Sequence, residues 1–307
     1  MKVLVTGVGG QLGYDVMNEL YRRGHSGVGT DVVTKAELRC FNERSAAAKA
    51  PYRQLDITDK ESVDTVLAEE KPDAVLHAAA WTAVDAAEEE INREKVFSVN
   101  VTGTENIAKA CQRIGCKMTY LSTDYVFNGK GELPWAPDCR EYQPLSVYGE
   151  TKLLGEKAVA QTLDRYFIVR IAWVFGVNGN NFVKTMLRLS ETHDSLRVVN
   201  DQIGTPTYTA DLARLLVDML ETEKYDYYHA TNEGGYLSWY EFACEIFRQA
   251  GKSVTVTPVS TEEYGVSKAN RPLNSRLDKE KIARAGFDRL PDWKDALQRY
   301  LSAIGVR

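Results

Sequence analysis

The sequence predicts an α/β protein in which a doubly wound parallel sheet is joined to a smaller C-terminal lobe that binds substrate. Apolar strand-like runs alternate with amphipathic helix-like runs through the N-terminal half, which is typical of a parallel sheet with helices on both faces. The first strand-like run leads directly into a glycine-rich turn and a helix pattern. Beyond residue 173 the alternation becomes irregular, which indicates a second and smaller unit.

The first unit consists of a strand over residues 3–6, a Gly-x-x-Gly-x-x-Gly turn over residues 7–13 and a helix that ends near Gly24. Glycine permits a tight turn and lets backbone N–H groups approach a pyrophosphate, and the positive end of the helix attracts the same anion. Such a glycine pattern also occurs in ordinary turns. Its position between the first strand and the first helix predicts a dinucleotide site of the Rossmann type.

A second strand is predicted over residues 26–30, although glycines interrupt it, and it leads into Asp31. Asp31 follows Gly13 by eighteen residues, close to the spacing at which a carboxylate binds the ribose hydroxyls of adenosine. A carboxylate there repels a 2′-phosphate and favours NADH, whereas the nearby Lys35 and Arg39 weaken that preference. The alternative role for Asp31 is that of a turn or capping residue.

The alternation continues with predicted strands over residues 52–55, 74–80 and 117–127 and predicted helices over residues 62–70 and 96–114. The run 74–80 is apolar apart from His77, as expected of a strand buried on both faces of a sheet. It ends in three alanines whose small side chains leave room for a ligand, although tight helix packing explains them equally well. Residues 35–50 receive no role.

The rest of the chain is predicted to form a loop over residues 128–144, a helix that contains Tyr148, a strand over 167–173, and helices over 182–190, 209–220, 239–250 and parts of 277–301. The resulting division assigns residues 1–173 to an NAD(P)-binding Rossmann domain, to which a helix near 207–222 returns. Residues 174–206 and 223–307 are expected to form mainly the substrate-binding lobe.

Tyr148 and Lys152 are four residues apart, so both lie on one face of the predicted helix. An ammonium beside a phenol favours the phenolate, so Lys152 is expected to lower the pKa of Tyr148 toward neutrality and prepare it for general acid–base chemistry. Thr123 is expected to hydrogen-bond a carbonyl oxygen and hold it near that tyrosine. In a chain with 16 tyrosines a Tyr-x-x-x-Lys pattern also arises by chance. The order of glycine turn, strand ending in Ser-Thr and then tyrosine favours redox chemistry with a nicotinamide cofactor.

Composition limits the classes of partner and the compartment. A formal net charge of -5 and a pI near 5.6 give no basic footprint for nucleic acid. No apolar run approaches the roughly 20 residues that span a bilayer, and the first residues do not resemble a signal peptide. The five cysteines form no Cys-x-x-Cys pair, which favours reduced thiols. We therefore expect a cytoplasmic protein that binds neither nucleic acid nor membrane.

These residues resemble the extended short-chain dehydrogenase/reductase superfamily and, within it, most closely the dTDP-4-dehydrorhamnose reductases. The stretches that support the resemblance are residues 7–13, 78–88, 122–127, 147–153, 179–182, 201–207 and 271–277. The last three are the more specific to the reductases. They contain the patterns Gly-Asn-Asn-Phe, Asp-Gln-x-Gly-x-Pro-Thr and Arg-Pro-x-Asn-Ser-Arg-Leu.

The resemblance implies reduction of the 4-keto group of dTDP-4-dehydro-β-L-rhamnose to give dTDP-L-rhamnose for cell-surface polysaccharide, with Tyr148 as proton donor. The expected catalytic residues are Thr123, Tyr148 and Lys152. The expected site for NADPH or NADH comprises Gly7, Gly10, Gln11, Leu12, Gly13, Asp31, Asp56, Ile57, Ala78, Ala79, Ala80, Tyr148 and Lys152. The expected sugar site comprises Thr123, Asp124, Tyr148, Trp173, Asn181 and Arg271, with core packing as the alternative role of Trp173.

Tyr125 helps to choose among relatives. Related sugar-nucleotide dehydratases have an Asp-Glu pair after the strand threonine, and epimerase-reductases have a cysteine two residues after their catalytic serine, whereas this chain has Tyr125 at the corresponding place. This chain therefore lacks the base that those dehydratases and epimerase-reductases have at this place, which disfavours both activities.

Two alternatives remain from the sequence: a reductase or epimerase of another nucleotide sugar, and a non-catalytic subunit similar to the regulatory subunit of methionine adenosyltransferase. Some similar reductases form a magnesium-linked dimer, but nothing in this sequence marks a Mg²⁺ site. A monomer and a homodimer both stay open.

Overall fold

The computed structural model describes residues 1–306. The strands are β1 (Lys2–Thr6), β2 (Ser26–Asp31), β3 (Tyr52–Gln54), β4 (Ala74–His77), β5 (Lys117–Thr123), β6 (Tyr166–Ile171), β7 (Val174–Phe175), β8 (Ser195–Val199), β9 (Ile203–Gly204), β10 (Thr207–Tyr208), β11 (Asp226–His229), β12 (Leu237–Ser238) and β13 (Thr255–Val259).

The helices are α1 (Gln11–Arg22), α2 (Ala46–Lys49), α3 (Lys60–Glu70), α4 (Val84–Ala87), α5 (Glu90–Phe97), α6 (Thr104–Ile114), α7 (Val147–Thr162), α8 (Phe182–Leu189), α9 (Thr209–Leu220), α10 (Trp239–Ala250), α11 (Thr261–Tyr264), α12 (Glu280–Arg284) and α13 (Trp293–Ala303). A π-helical turn, Ser98–Gly103, joins α5 to α6, and a 3₁₀ turn, Asp124–Val126, follows β5. None of the helices within residues 1–306 is both long and apolar enough to cross a membrane.

The main sheet has the strand order β11-β6-β5-β4-β1-β2-β3, and every neighbouring pair in it is parallel. The order reverses between β1 and β4: β2 and β3 are added on one side of β1, and β4, β5, β6 and β11 on the other. In a doubly wound sheet the ligand crevice lies above the carboxyl ends of the strands at this reversal. The predicted fold class is therefore confirmed.

The two faces of the sheet are covered by different helices because side chains alternate along each strand. On β1, Val3 and Val5 pack into the core that α1 and α9 cover, whereas Leu4 packs into the core beneath α3, α6 and α7. Helix α9 packs against α1. The chain therefore returns to the main sheet at α9, after the segment that contains α8 and β8. This packing places α7 directly beside the carboxyl end of β5.

Several elements differ from the sequence prediction. Strand β4 stops at His77 rather than residue 80, because its partner β1 turns away at Gly7, which has a φ of +72°. Strand β5 stops at Thr123, whose hydroxyl accepts a hydrogen bond from the N–H of Tyr125 and starts the 3₁₀ turn. The helical segment predicted from residue 96 begins with α5 at Glu90.

Strand β11 was absent from the prediction because its sequence, Asp-Tyr-Tyr-His, lacks the apolar run of a buried strand. It pairs with β6 at the edge of the main sheet. Residues 226–229 therefore add to the large domain a segment that the sequence division assigned mainly to the smaller lobe. Pairs β8–β13 and β9–β12, with helices α8 and α10, lie outside the main sheet. The assignment of the rest of residues 174–206 and 223–307 to the smaller lobe stays a prediction.

Candidate active site

A cavity of about 1370 Å³ lies along the carboxyl ends of the central strands. Every residue predicted to bind cofactor lines it: Gly7, Gly10, Gln11, Leu12, Gly13, Asp31, Asp56, Ile57, Ala78, Ala79, Ala80, Tyr148 and Lys152. Of the predicted sugar site, Thr123, Asp124, Tyr148 and Trp173 line the same cavity. The fold thus brings residues from seven separate stretches of sequence into one space.

The glycine turn has the shape of a pyrophosphate cradle. A Cβ on Gly7 would lie 2.8 Å from the backbone of Ala79, and one on Gly13 would collide with the carbonyl oxygen of Gly7. A Cβ on Gly10, in contrast, would meet only that carbonyl oxygen, at 3.2 Å. Helix α1 begins directly after Gly10 without a side-chain cap. No N-cap side chain therefore accepts hydrogen bonds from its first N–H groups, which are available to an anion. The turn fits an anionic diphosphate.

Two carboxylates at the ends of β2 and β3 are held in fixed orientations by backbone N–H groups. Asp31 accepts hydrogen bonds from the N–H of Gly9 at 2.9 Å and of Val32 at 2.8 Å. Asp56 accepts from the N–H of Thr58 at 2.9 Å and from its hydroxyl at 2.8 Å. Asp31 therefore stands beside the glycine turn, where the ribose of an adenosine is expected.

A buried histidine fixes the alanine segment after β4. Burial lowers the pKa of His77 to about 3, with a further contribution from the Lys152 ammonium, so the ring is neutral. Its Nδ1 lies 2.8 Å from the hydroxyl of Thr6, and that hydroxyl accepts from the N–H of Ala79 at 3.1 Å. Its Nε2 lies 3.1 Å from the hydroxyl of Thr104. This network holds the backbone of the alanines against the cavity.

The start of α7 is fastened by two neighbouring groups. Ser146 accepts a hydrogen bond from the N–H of Gly149 at 3.1 Å, and the carboxylate of Glu88 accepts from the N–H of Val147 at 2.8 Å. An acceptor at each of these positions satisfies N–H groups that the helix cannot satisfy internally. Tyr148 and Lys152 are consequently presented to the cavity by a well-anchored first turn.

Lys152 lies against an aromatic face. Its Nζ is 4.1 Å from the ring centroid of Tyr120, and the hydroxyl of Tyr120 donates to the carbonyl oxygen of Lys152 at 3.2 Å. Gly155 leaves the space that this hydroxyl occupies, since a Cβ there would collide with it. Burial lowers the pKa of Lys152 to about 7, and the Glu156 carboxylate acts in the opposite direction. A cation–π contact of this kind favours the charged ammonium.

The pKa of Tyr148 differs from the sequence expectation. Burial raises it above the ordinary value, and the nearby Asp124 and Tyr125 add to the rise, while the hydroxyl of Thr123 opposes it. Tyr148 and Lys152 both line the cavity, as the helix spacing predicted, but burial rather than the Lys152 ammonium determines the shift in the pKa of Tyr148. Tyr148 therefore keeps its proton at neutral pH, as a proton donor must.

Thr123 and Asp124 form a hydroxyl–carboxyl pair at the end of β5. The Thr123 Oγ1 is 3.0 Å from the Asp124 Oδ1 and accepts from the N–H of Tyr125 at 3.3 Å. Asp124 is 1% exposed. Burial raises the pKa of Asp124 to about 6, against the hydroxyls of Ser275 and Thr123.

Two tryptophans form an aromatic wall of the cavity. Trp173 has a φ of +51°, an uncommon conformation for a bulky residue, and its ring stacks on that of Trp239 with centroids 3.8 Å apart. Gly204 fits beneath the Trp173 ring, because a Cβ there would lie 2.9 Å from it. Strain of this kind is retained where the surroundings fix it, often at a ligand site.

The chain matches the family model described as the RmlD substrate binding domain over residues 1–306. It belongs to this family. A spore coat polysaccharide biosynthesis protein, SpsK, of Bacillus subtilis is 39% identical, and the match covers 98% of this chain and 96% of that protein. A dTDP-4-dehydrorhamnose reductase of Aggregatibacter actinomycetemcomitans is 37% identical, with 97% of each chain covered. The crystal structure of dTDP-4-dehydrorhamnose reductase from Bacillus anthracis in complex with NADP has a TM-score of 0.87 at 37% identity, covering 98% of this chain and 99% of that one.

In this RmlD family member, two residues predicted to bind sugar lie outside the cavity lining. Asn181 caps α8 by accepting from the N–H of Lys184 at 3.0 Å, and it donates to the Gln11 side chain at 3.0 Å. Arg271 pairs with Asp85 and reaches the hydroxyl of Tyr125 at 3.4 Å. Their direct contact with sugar stays a prediction.

The cavity wall also contains many residues that the sequence did not mark as site residues, among them Asn180 and Trp239. Trp239 is the first residue of α10 and directly follows the N-cap residue Ser238. The sequence predicted a helix from residue 239 but gave no sign that its first residue lines a cavity. Among residues 1–306 no group of three or more His, Cys, Asp or Glu side chains is arranged to hold a metal ion.

Proposed function

We propose that this family member reduces the 4-keto group of dTDP-4-dehydro-β-L-rhamnose to give dTDP-L-rhamnose, with NADPH or NADH as reductant. The observation on which the proposal chiefly rests is the single cavity that joins the glycine cradle to Thr123, Tyr148 and Lys152. Curated dTDP-4-dehydrorhamnose reductases at 37%, 39% and 35% identity, aligned over nearly their whole length, support the same reaction.

The chain's own residues divide the work as follows. A nicotinamide cofactor, when bound, supplies the hydride. Tyr148 holds a proton on its hydroxyl at neutral pH and donates it to the oxygen that becomes the alcohol. Thr123 orients the same oxygen. Lys152 lies one helical turn after Tyr148 on α7, and in its charged form it stabilises the phenolate that remains after proton donation.

Tyr125 supports simple reduction rather than elimination or epimerisation. Its ring lies edge-on to that of Tyr148 with centroids 5.6 Å apart, so it occupies the place next to the proton donor. Burial raises the pKa of Tyr125 to about 12, with Asp124 adding to the rise, so its phenol does not act as a base at neutral pH. We further propose a cytoplasmic monomer or homodimer that binds a small nucleotide sugar and, with a net charge of -5, no nucleic acid.

The proposed reaction is tested by turnover and by competition. Purified protein should oxidise NADPH or NADH when dTDP-4-dehydro-β-L-rhamnose is added, and mass spectrometry should identify dTDP-L-rhamnose. In competition experiments dTDP should displace the product more effectively than UDP or GDP. Turnover of a UDP or GDP keto sugar with higher kcat/KM than the dTDP sugar would assign the chain to another nucleotide-sugar reductase. Failure to turn over any of them would favour the non-catalytic alternative.

Asp31 gives a prediction for cofactor choice. The wild type is expected to use both cofactors, and replacing Asp31 with asparagine removes the charge that repels a 2′-phosphate. The amide keeps one acceptor oxygen, so one of the two hydrogen bonds from the N–H groups of Gly9 and Val32 is retained. The ratio of the Kd for NADPH to the Kd for NADH should fall by about tenfold, equivalent to about 1.4 kcal/mol.

Fluorescence titration without sugar measures both dissociation constants. Asp59→Asn is a matched control, because it removes a carboxylate that caps α3 away from the cavity. An unchanged ratio in Asp31→Asn would exclude Asp31 as the selector.

A further inference from the structure

The carboxyl group of Asp124 is enclosed at the end of β5 with one oxygen unused. Its Oδ2 is buried and has no hydrogen-bond partner among residues 1–306. An ionised carboxylate loses its water on burial, and an oxygen without a hydrogen-bond partner recovers little of that cost. Burial at this position therefore raises the pKa of Asp124 to about 6, so the neutral acid predominates below about that pH.

The charged and titratable groups around Asp124 do not change this conclusion. Helix α7 contributes Tyr148, the 3₁₀ turn contributes Tyr125, and Arg271 beyond it is paired with Asp85. The groups that lower the pKa of Asp124 are hydroxyls, those of Ser275 and Thr123, and a backbone N–H, whereas burial acts more strongly in the opposite direction. No side-chain cation within residues 1–306 forms an ion pair with this carboxyl group.

The state of Asp124 decides what the hydroxyl of Thr123 is able to do. A hydroxyl has one hydrogen to donate and two lone pairs to accept with. If Asp124 is ionised, the Thr123 hydrogen is drawn to Oδ1, 3.0 Å away, and none is left for a substrate. If Asp124 is protonated on Oδ1, Thr123 accepts from it and from the N–H of Tyr125, and its own hydrogen is free.

We propose that Asp124 works as a neutral acid that donates a hydrogen bond to Thr123, so that the Thr123 hydroxyl donates to the keto oxygen of the substrate. Asp124 is thus a positioning residue, and it keeps its proton while Tyr148 gives up its own. This inference rests on the proposed reduction, because it assigns a direction to a hydrogen bond that the reduction requires.

The test is the pH profile of kcat/KM for the keto sugar nucleotide in wild type and in Asp124→Asn. The neutral form of an acid falls by about tenfold per pH unit above its pKa, so the wild-type rate should decline from about pH 6 upward. The rate falls as pH rises because the protonated form of Asp124 is the active form. An asparagine N–H donates to Thr123 at every pH, so the decline that begins near pH 6 should be absent from Asp124→Asn. The decline that remains should begin near pH 7, where Lys152 loses its charge.

Ser275→Ala provides a second variant that retains Asp124. It removes a hydroxyl that lowers the pKa of Asp124, so the decline should move to higher pH. Thr123→Val should lower the rate at every pH, by about 10²-fold or more, as loss of a donor to the reacting oxygen does. A wild-type profile that is flat, or one whose decline persists unchanged in Asp124→Asn, would overturn the proposal.

Infrared difference spectra separate this inference from the proposed function. The protein with NADP⁺ bound and without sugar should show a protonated carboxyl band near pH 5 that is missing from Asp124→Asn and weakens above about pH 6. Absence of that band contradicts the neutral acid even if the reduction proceeds. Presence of the band without turnover of any keto sugar contradicts the proposed function alone.

Discussion

Replacing Tyr148 with phenylalanine is expected to lower kcat for reduction by about 10²- to 10⁴-fold, the range supplied by a positioned general acid. The phenol is half-buried in the cavity wall, and its raised pKa keeps the proton available at neutral pH. Phenylalanine preserves the ring that meets Tyr125 edge-on, so sugar and cofactor should still bind. The KM for the sugar nucleotide should therefore change far less than kcat.

Steady-state oxidation of the reduced cofactor, followed by absorbance, measures both constants. Tyr21→Phe is the matched control, since Tyr21 is 74% exposed on α1 and outside the cavity. A Tyr148→Phe enzyme that retains more than about a tenth of the wild-type kcat would remove Tyr148 from its role as proton donor.

Replacing Arg170 with methionine is expected to lower the free energy of unfolding by about 3–5 kcal/mol, as removal of one partner from a buried ion pair does. Arg170 and Glu156 are 0% and 1% exposed, and two guanidinium nitrogens each donate to the carboxylate at 2.8 Å. Ser122 donates to the same carboxylate at 2.5 Å. After the substitution the Glu156 carboxylate would remain buried, and of these hydrogen bonds it would keep only the one from the Ser122 hydroxyl.

The matched control is the double variant Glu156→Leu with Arg170→Met, which removes both charges. It should be substantially more stable than Arg170→Met, because it leaves no unpaired carboxylate in the core. Urea unfolding with comparison of midpoints and slopes measures the differences. A single variant as stable as the double variant would show that an unpaired Glu156 carboxylate costs little, contrary to this expectation.

This ion pair also matters for the active site. Glu156 follows Lys152 by one helical turn on α7, and its carboxylate raises the pKa of Lys152 against the effect of burial. Ser122, which lines the cavity, is bonded to the same carboxylate. Loss of Arg170 should therefore disturb the base of the site as well as the fold.

The parts of the fold that the sequence predicted well are those encoded by local pattern. The glycine turn, the Tyr-x-x-x-Lys spacing and the Ser-Thr strand end each depend on residues close together in sequence, and parallel strand ends meet at one edge of a sheet. That geometry explains why Gly7, Thr123 and Tyr148 share a cavity.

The features that the sequence did not predict depend on long-range burial. The pKa of Tyr148 rises because the folded chain removes water from around it, a quantity absent from the helix spacing. Strand β11 lacks the apolar run that would predict a buried strand, and it joins the sheet edge by pairing with β6. Trp239 reaches the cavity because Trp173, distant in sequence, stacks on it.

This chain is expected to deliver hydride to the 4-keto carbon of a dTDP-sugar. With NADPH or NADH deuterated at the transferable position of the nicotinamide ring, dTDP-4-dehydro-β-L-rhamnose should yield dTDP-L-rhamnose with a single deuterium at C4, read by mass spectrometry and NMR. Product without deuterium, or with label at another sugar carbon, would exclude hydride transfer to C4.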